Sequence, residues 1–204
     1  MKTMFATALI AAALAVPAAA QEADRSFDGP YVGVQLGLNR DQAGARLDAT
    51  NLLDRRVSKN SAALGVYGGY NIRVADRIVL APEAGFSVNL NDSFQGRKAG
   101  LAYTLDPKFS FDLGARAGVV AGDNTLIYVR GGYSNVRVGR QETLASGSRL
   151  RSNQNFQGWH VGGGVEHALS RNLSARLEYR YGNLDENRGD WRRHQVLAGL
   201  GFNF

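Results

Sequence analysis

Residues 172–181, NLSARLEYRY, divide their side chains into two unlike sets. Leu173, Ala175, Leu177, Tyr179 and Tyr181 fall on one parity; Asn172, Ser174, Arg176, Glu178 and Arg180 fall on the other. Alternation this strict marks a β-strand, whose successive side chains point to opposite faces. A strand with one apolar and one charged face has two homes. In a soluble sheet the apolar set packs on a core and the charges meet water. In a closed sheet spanning a membrane the apolar set meets lipid and the charges turn inward.

The same pattern recurs along the chain with little helical periodicity between repeats. Residues 31–39 set Val32, Val34, Leu36 and Leu38 against Gly33, Gln35, Gly37 and Asn39. Residues 63–72 set Leu64, Val66, Tyr70 and Ile72 against Gly65, Tyr67, Gly69 and Asn71, and 78–88 set Leu80, Ala84, Phe86 and Val88 against Ala81, Glu83, Gly85 and Ser87. Pro82 cannot donate to a ladder and predicts an irregularity in that strand. Residues 109–119 alternate Phe109, Phe111, Leu113 and Ala115 with Ser110, Asp112, Gly114 and Arg116. Residues 125–134, 158–167 and 195–204 complete the series, with Arg130 and Glu166 on the polar parity. The spacing predicts an all-β chain of eight antiparallel strands. Its 25 glycines against 4 prolines fit glycines inside strands rather than a disordered chain.

The connections alternate in length. Residues 73–77, 121–124 and 169–171 predict tight turns, whereas 40–61, 89–108, 139–157 and 183–194 are long, polar and charged. Long loops at one end and short turns at the other are the pattern of a transmembrane β-barrel with outer loops and periplasmic turns. The N-terminus agrees with export. Lys2, an apolar run from Phe5 to Val16 and the small residues Ala18–Ala20 predict a signal peptide over 1–20, leaving 21–204 as a single barrel domain. No later segment approaches the roughly eighteen apolar residues a spanning helix needs. The chain has no cysteine, which excludes disulfides and thiolate metal sites.

In lipid every backbone polar group must be paired within the protein, which for strands requires a closed ring. The polar parity then lines a lumen, and it collects Glu83, Asp112, Glu166 and Glu178 with Arg116, Arg130, Arg176 and Arg180. Four acids and four bases balance, as a narrow interior demands, because an unpaired buried charge costs several kcal/mol. Closing the sixth hairpin around Arg171 sets Glu166 opposite Arg176, Gly164 opposite Glu178 and Gly162 opposite Arg180. This register predicts an ion pair between Glu166 and Arg176, with glycines leaving room for long side chains.

The run GWHVGGGVEHALSRNLSARLEYRYGNL resembles the penultimate hairpin of the opacity-type, outer membrane protein A-like small β-barrel surface antigens of Gram-negative bacteria. GPYVGVQLGLN is similar to their first strand. The resemblance implies a cell outer membrane location and a structural, surface-interacting role without catalysis. It also implies that Phe204, on alternating apolar residues, is the signal read by the outer-membrane barrel assembly machinery. Outer membrane protein A itself continues into a peptidoglycan-binding domain; the present sequence stops at the eighth strand, so that tether is not implied.

Other readings fit the residues less well. A soluble lipocalin-like barrel would carry all eight charges outside and leave Phe204 without a role. A lipid A-modifying enzyme needs a nucleophile and a base within hydrogen-bond reach. His160 and Glu166 share a face but stand about 20 Å apart along one strand. His167 has outward parity near a turn, and His194 adjoins a charged loop. A narrow channel or porin is the third possibility. Neither a cofactor nor a metal is expected, because the carboxylates lack ligand clustering. The glycine-rich stretches GGYNIR and VGGGVE lie within strands, with no helix following to cradle a phosphate. Trp159, Tyr179, Tyr181, Phe202 and Phe204 read as interfacial girdles rather than base-stacking platforms. The net charge of +6 therefore points to lipopolysaccharide rather than nucleic acid.

Any specific ligand is expected at the loops. Loop 40–61 carries Arg40, Arg46, Arg55, Arg56 and Lys59 against three aspartates, and loop 139–157 carries Arg140, Arg149 and Arg151 against Glu142. Arg55, Arg56, Arg149 and Arg151 are the expected contacts for lipopolysaccharide phosphates or acidic host glycans, since guanidinium forks match phosphate geometry.

Overall fold

The computed structural model describes residues 27–44, 56–90, 94–98, 101–143, 149–184 and 190–204. The predicted signal peptide, 1–20, lies outside them, as does Arg55. The strands are β1 (Gly29–Gly44), β2 (Arg56–Ala75), β3 (Ile78–Asn89), β4 (Phe94–Lys98), β5 (Leu101–Ala121), β6 (Thr125–Thr143), β7 (Arg149–Ala168), β8 (Leu173–Asn183) and β9 (Asp190–Asn203). Each pairs antiparallel with its neighbours, and β1 joins both β2 and β9 while β3 joins β5. Eight strands thus close a ring. The short β4 takes up pairing with β5 where β3 leaves it: Val88 opposes Phe109, and Phe94 opposes Leu105.

Exposure is inverted relative to a soluble barrel. Outward Leu38, Val129 and Leu177 are 60–65% exposed, whereas the eight charged residues of the polar parity are 1–5% exposed. Such a surface needs lipid around it, and the closed ladder satisfies the backbone that lipid cannot.

Three connections are tight: Asp76–Arg77, 122–124 and 169–172. Gly122 adopts φ +66° there, a conformation glycine enters without steric cost. The two ends of the barrel sequence meet at this same end, where the Phe204 amide donates to the Pro30 carbonyl. The other connections are shorter than the sequence predicts, because the strands run on into the polar segments. β1 continues to Gly44, β2 begins at Arg56, β6 reaches Thr143 and β7 begins at Arg149. Beyond the lipid there is no reason for apolar alternation, so pairing continues where the pattern fades. The irregularity expected at Pro82 is present: the β2–β3 ladder passes from Gly69–Glu83 to Ile72–Leu80 without pairing Pro82 or Ala81, and its register shifts between Arg73 and Ala75. Pro82 faces outward and keeps its register with Ala115 of β5.

Apolar clusters bracket the lumen. Toward the tight turns, Phe27, Val79, Val120, Leu126, Tyr128 and Ala168 pack together, with Tyr31, Tyr67 and Ala81 forming a neighbouring group. Toward the long-loop end, Val136, Leu184 and Trp191 pack with Phe156.

Candidate functional site: a closed charged lumen and a basic outer rim

Lumenal side chains come from strands on all sides of the ring; six of the eight charges form one continuous network, and Arg116 and Glu166 pair beside it. Glu83 on β3 accepts from the Arg130 guanidinium, from Arg176 Nη1 at 2.8 Å and from the Tyr31 hydroxyl at 2.8 Å. Arg130 also lies 3.4 Å from Asp112 and 3.5 Å from Glu178. Arg180 bridges Asp112 and Glu178, donating to Glu178 at 2.7 and 2.9 Å. Glu178 takes a further bond from the Tyr128 hydroxyl at 2.8 Å. Arg116 pairs with Glu166 and donates to Asn71 at 2.8 Å, while Ser174 donates to Glu166 at 2.7 Å. Arg176 completes its fork on Gln35 at 2.7 Å. Every buried carboxylate thus meets at least one guanidinium, the condition under which ions survive burial.

The seventh and eighth strands adopt the predicted register, with Glu166 opposite Arg176, Gly164 opposite Glu178 and Gly162 opposite Arg180. Glu166 and Arg176 nevertheless do not pair. Glu166 binds Arg116 of β5, and Arg176 binds Glu83 of β3. In so narrow a bore a long side chain reaches across the lumen more readily than it folds back on its own neighbour. The glycines make room for the side chains opposite them in the ladder. A Cβ on Gly85 would meet the Asp112 carboxylate, and one on Gly164 would come 2.8 Å from the Tyr128 hydroxyl.

Three lumenal tyrosines were not assigned a role by alternation. The Arg176 guanidinium lies 3.3 Å from the Tyr67 ring centroid, and that of Arg116 lies 4.5 Å from Tyr31 and 5.1 Å from Tyr128. Stacked in this way, an arginine gains from the ring quadrupole in surroundings that water does not screen. Parity was the available signal: Tyr31, Tyr67 and Tyr128 each share it with Gln35, Asn71 and Arg130 on their own strands.

A further ion pair sits higher in the lumen. Arg193 donates to Asp41 at 2.6 and 3.1 Å, and the Trp191 indole donates to the same carboxylate at 2.9 Å. Asp41 and Arg193 belong to the polar segments 40–61 and 183–194, yet both stand on strands, because β1 and β9 extend beyond their apolar stretches. A water-sized space between this layer and the main network is bordered by Asp112, His160, Arg180 and Arg193.

The histidines occupy three different environments. His160 faces the lumen, buried, with Nδ1 2.8 Å from the Ser134 hydroxyl. This is a serine–histidine pair that sequence spacing did not bring together, yet it lies inside the plugged bore, away from lipid. His167 sits on the outer face near a tight turn, 3.0 Å from Thr125 Oγ1. His194 faces outward near the long-loop end, with Nδ1 2.7 Å from the Tyr179 hydroxyl. Among the described residues no cluster of three metal-ligating side chains occurs.

Aromatic residues mark both ends of the apolar belt. Trp159, Tyr181 and Tyr179 lie toward the long loops, with Trp159 and Tyr181 5.8 Å apart. Phe202 and Phe204 lie toward the tight turns, 5.1 Å apart edge to face. Phe204 is exposed on the outer wall beside the tight turns. Of the four arginines expected at the loops, Arg56, Arg149 and Arg151 stand on strand backbone, opposite Gly44, Thr143 and Gln141 respectively.

Comparison with known proteins is consistent along the whole chain. A sequence profile for the outer membrane protein beta-barrel domain matches residues 6–204. The chain is similar to the 31 kDa outer-membrane immunogenic protein of Brucella melitensis, 27% identical over 237 aligned positions, which cover 98% of this chain and 95% of the relative. In fold it is similar to Ail, the attachment invasion locus protein of Yersinia pestis, solved with the heparin analogue sucrose octasulfate: TM-score 0.55, 12% identity, 86% of this chain and 99% of that one. It is also similar to the neisserial surface protein A, with TM-score 0.54, 20% identity and coverage of 85% and 97%.

Proposed function

Because the chain belongs to the outer membrane protein beta-barrel domain family, we propose that it serves the outer membrane as a non-enzymatic wall element that displays loops to the exterior. The observation that carries this reading is the closure of the bore. Five acids and five arginines neutralise one another inside it, and apolar clusters lie toward both ends. An eight-stranded barrel has an interior that side chains can fill, and here they do. With the middle of the lumen occupied by paired side chains and the Ser134–His160 pair facing inward, interaction falls to the outer end.

On this reading the outer arginines Arg55, Arg56, Arg149 and Arg151 contact anionic partners, lipopolysaccharide phosphates or acidic host glycans. The backbone placement of three of them supports it: Arg56, Arg149 and Arg151 stand at the outer extremities of β2 and β7. The sulfated ligand of the Ail crystal is a property of Ail, but it supplies a probe. Refolded protein titrated with heparin and with lipopolysaccharide should bind in a salt-sensitive way. Replacing the four arginines by glutamine should remove the salt-sensitive part. Undiminished binding by that variant would make these arginines a solvated surface only.

The assembly machinery enters at the opposite end. Phe204 is exposed on the folded wall and meets Phe202 edge to face, so losing its side chain removes little buried contact. Deleting Phe204 should lower the folded outer-membrane level while leaving the unfolding midpoint of purified, refolded barrel little changed. Equal outer-membrane levels in the deletion strain would dismiss this role.

A further inference from the structure

The described acidic side chains are unevenly placed. Asp41, Glu83, Asp112, Glu166 and Glu178 are buried in the lumen, and Asp28, Asp76 and Asp123 lie at the tight-turn end. Among the described side chains no carboxylate faces outward at the outer edge of the apolar belt. Arg40, Arg137 and His194 do face outward there.

Two of these adjoin on one patch of wall. Arg40 on β1 opposes His194 on β9, and His194 opposes Tyr181 on β8, which makes a row across three strands. One pair deeper into the membrane, Leu38, Val196 and Tyr179 form the next outward row, and Leu38 is 64% exposed. An open groove runs along this boundary, bordered by Leu38, Arg40, Asn60, Tyr179, His194 and Val196. Arg40 makes a long contact there, 3.4 Å to Ser58 Oγ. The Tyr179 hydroxyl and the Tyr181 ring hold His194 against the wall.

We infer that this groove is a seat for one phosphorylated lipid of the outer leaflet, the lipid A part of lipopolysaccharide. Its phosphate meets Arg40 and His194, and an acyl chain lies along Leu38 and Val196. The pairing follows from the chemistry of the two rows. A guanidinium beside a ring N–H, at the depth where aromatic residues mark the interface, suits a phosphate. Exposed aliphatic residues directly beneath suit the chains attached to it. A soluble anion would gain nothing from the lower row, and a neutral lipid nothing from the upper. The seat lies on the barrel wall and is separate from the four outer arginines proposed to bind anionic ligands.

Protein refolded in neutral detergent would be examined by native mass spectrometry with diphosphorylated lipid A and with the same lipid stripped of phosphate. One molecule should be retained, with a preference of about tenfold for the phosphorylated form, the scale of one charge-assisted contact. The double variant Arg40→Gln, His194→Gln should lose that preference, while Arg77→Gln at the tight-turn end should keep it. Substituting Arg55, Arg56, Arg149 and Arg151 by glutamine should also keep it, which separates this seat from the outer arginines. Equal retention of both lipids by the unmodified protein would overturn the proposal, a comparison that needs no variant to fold. So would an undiminished preference in the double variant, or a preference lost only when the four outer arginines are replaced.

Discussion

The lumen and the outer wall treat charge in opposite ways. Inside, every described carboxylate has a guanidinium partner, and acids and arginines balance. Outside, at the membrane edge, Arg40 and His194 adjoin with no described acid facing them. The difference follows from what each region can borrow from its surroundings. A closed bore has no counterions to call on, so its charges must be complete among themselves or cost several kcal/mol each. A wall facing phosphorylated lipid can leave its charge for a partner to complete. Balanced charge here is a structural device, and one-signed charge is an interaction surface.

The largest effect should come from Glu83, the carboxylate shared by Arg130, Arg176 and Tyr31. Glu83→Ala leaves two buried guanidinium groups short of a counter-charge and should destabilise the barrel by about 3–5 kcal/mol. Urea unfolding of refolded protein, followed by the fluorescence of Trp159 and Trp191, measures it. A loss below about 1 kcal/mol would mean that lumenal water solvates these arginines as well as the carboxylate does.

Glu166 should matter less, because it serves one guanidinium, that of Arg116, where Glu83 serves two. Glu166→Ala should cost roughly 1–3 kcal/mol. The sharper reading is its coupling. A double-mutant cycle should find interaction energy with Arg116 and little with Arg176, although Arg176 is the residue directly opposite in the ladder. The reverse result would restore the pairing that register alone suggests.

The smallest effect on stability is expected at the edge. Arg40→Gln should change the unfolding free energy by no more than about 0.5 kcal/mol, as for surface substitutions with no buried partner. A large loss there would mean that the wall cation is structural after all, and the contrast between the two regions would collapse.

How much of this was legible beforehand depends on where lipid imposes its rule. Within the belt, alternation located all eight lumenal charges, and the hairpin through Arg171 had the register found in the structure. Beyond the belt that constraint ends. Asp41, Trp191 and Arg193 therefore looked like loop residues, although they continue the inward parity of Asn39, Gln195 and Leu197. Partner choice across the lumen was not legible either. Pairing Arg116 with Glu166 requires knowing how wide the bore is and which strands face one another, and neighbours in a ladder do not carry that information. The Ser134–His160 contact was hidden for a simpler reason: it joins two strands whose register the sequence reading had not set.

The central claim is that the bore is closed by its own charges and function lies on the outside. Purified, refolded protein reconstituted into planar lipid bilayers tests this directly, with folding verified by the mobility of unboiled against boiled samples. Membranes carrying the folded barrel should remain electrically silent, apart from rare and brief openings. Large, long-lived conductance steps from the folded protein would contradict the closed lumen and make the chain a pore.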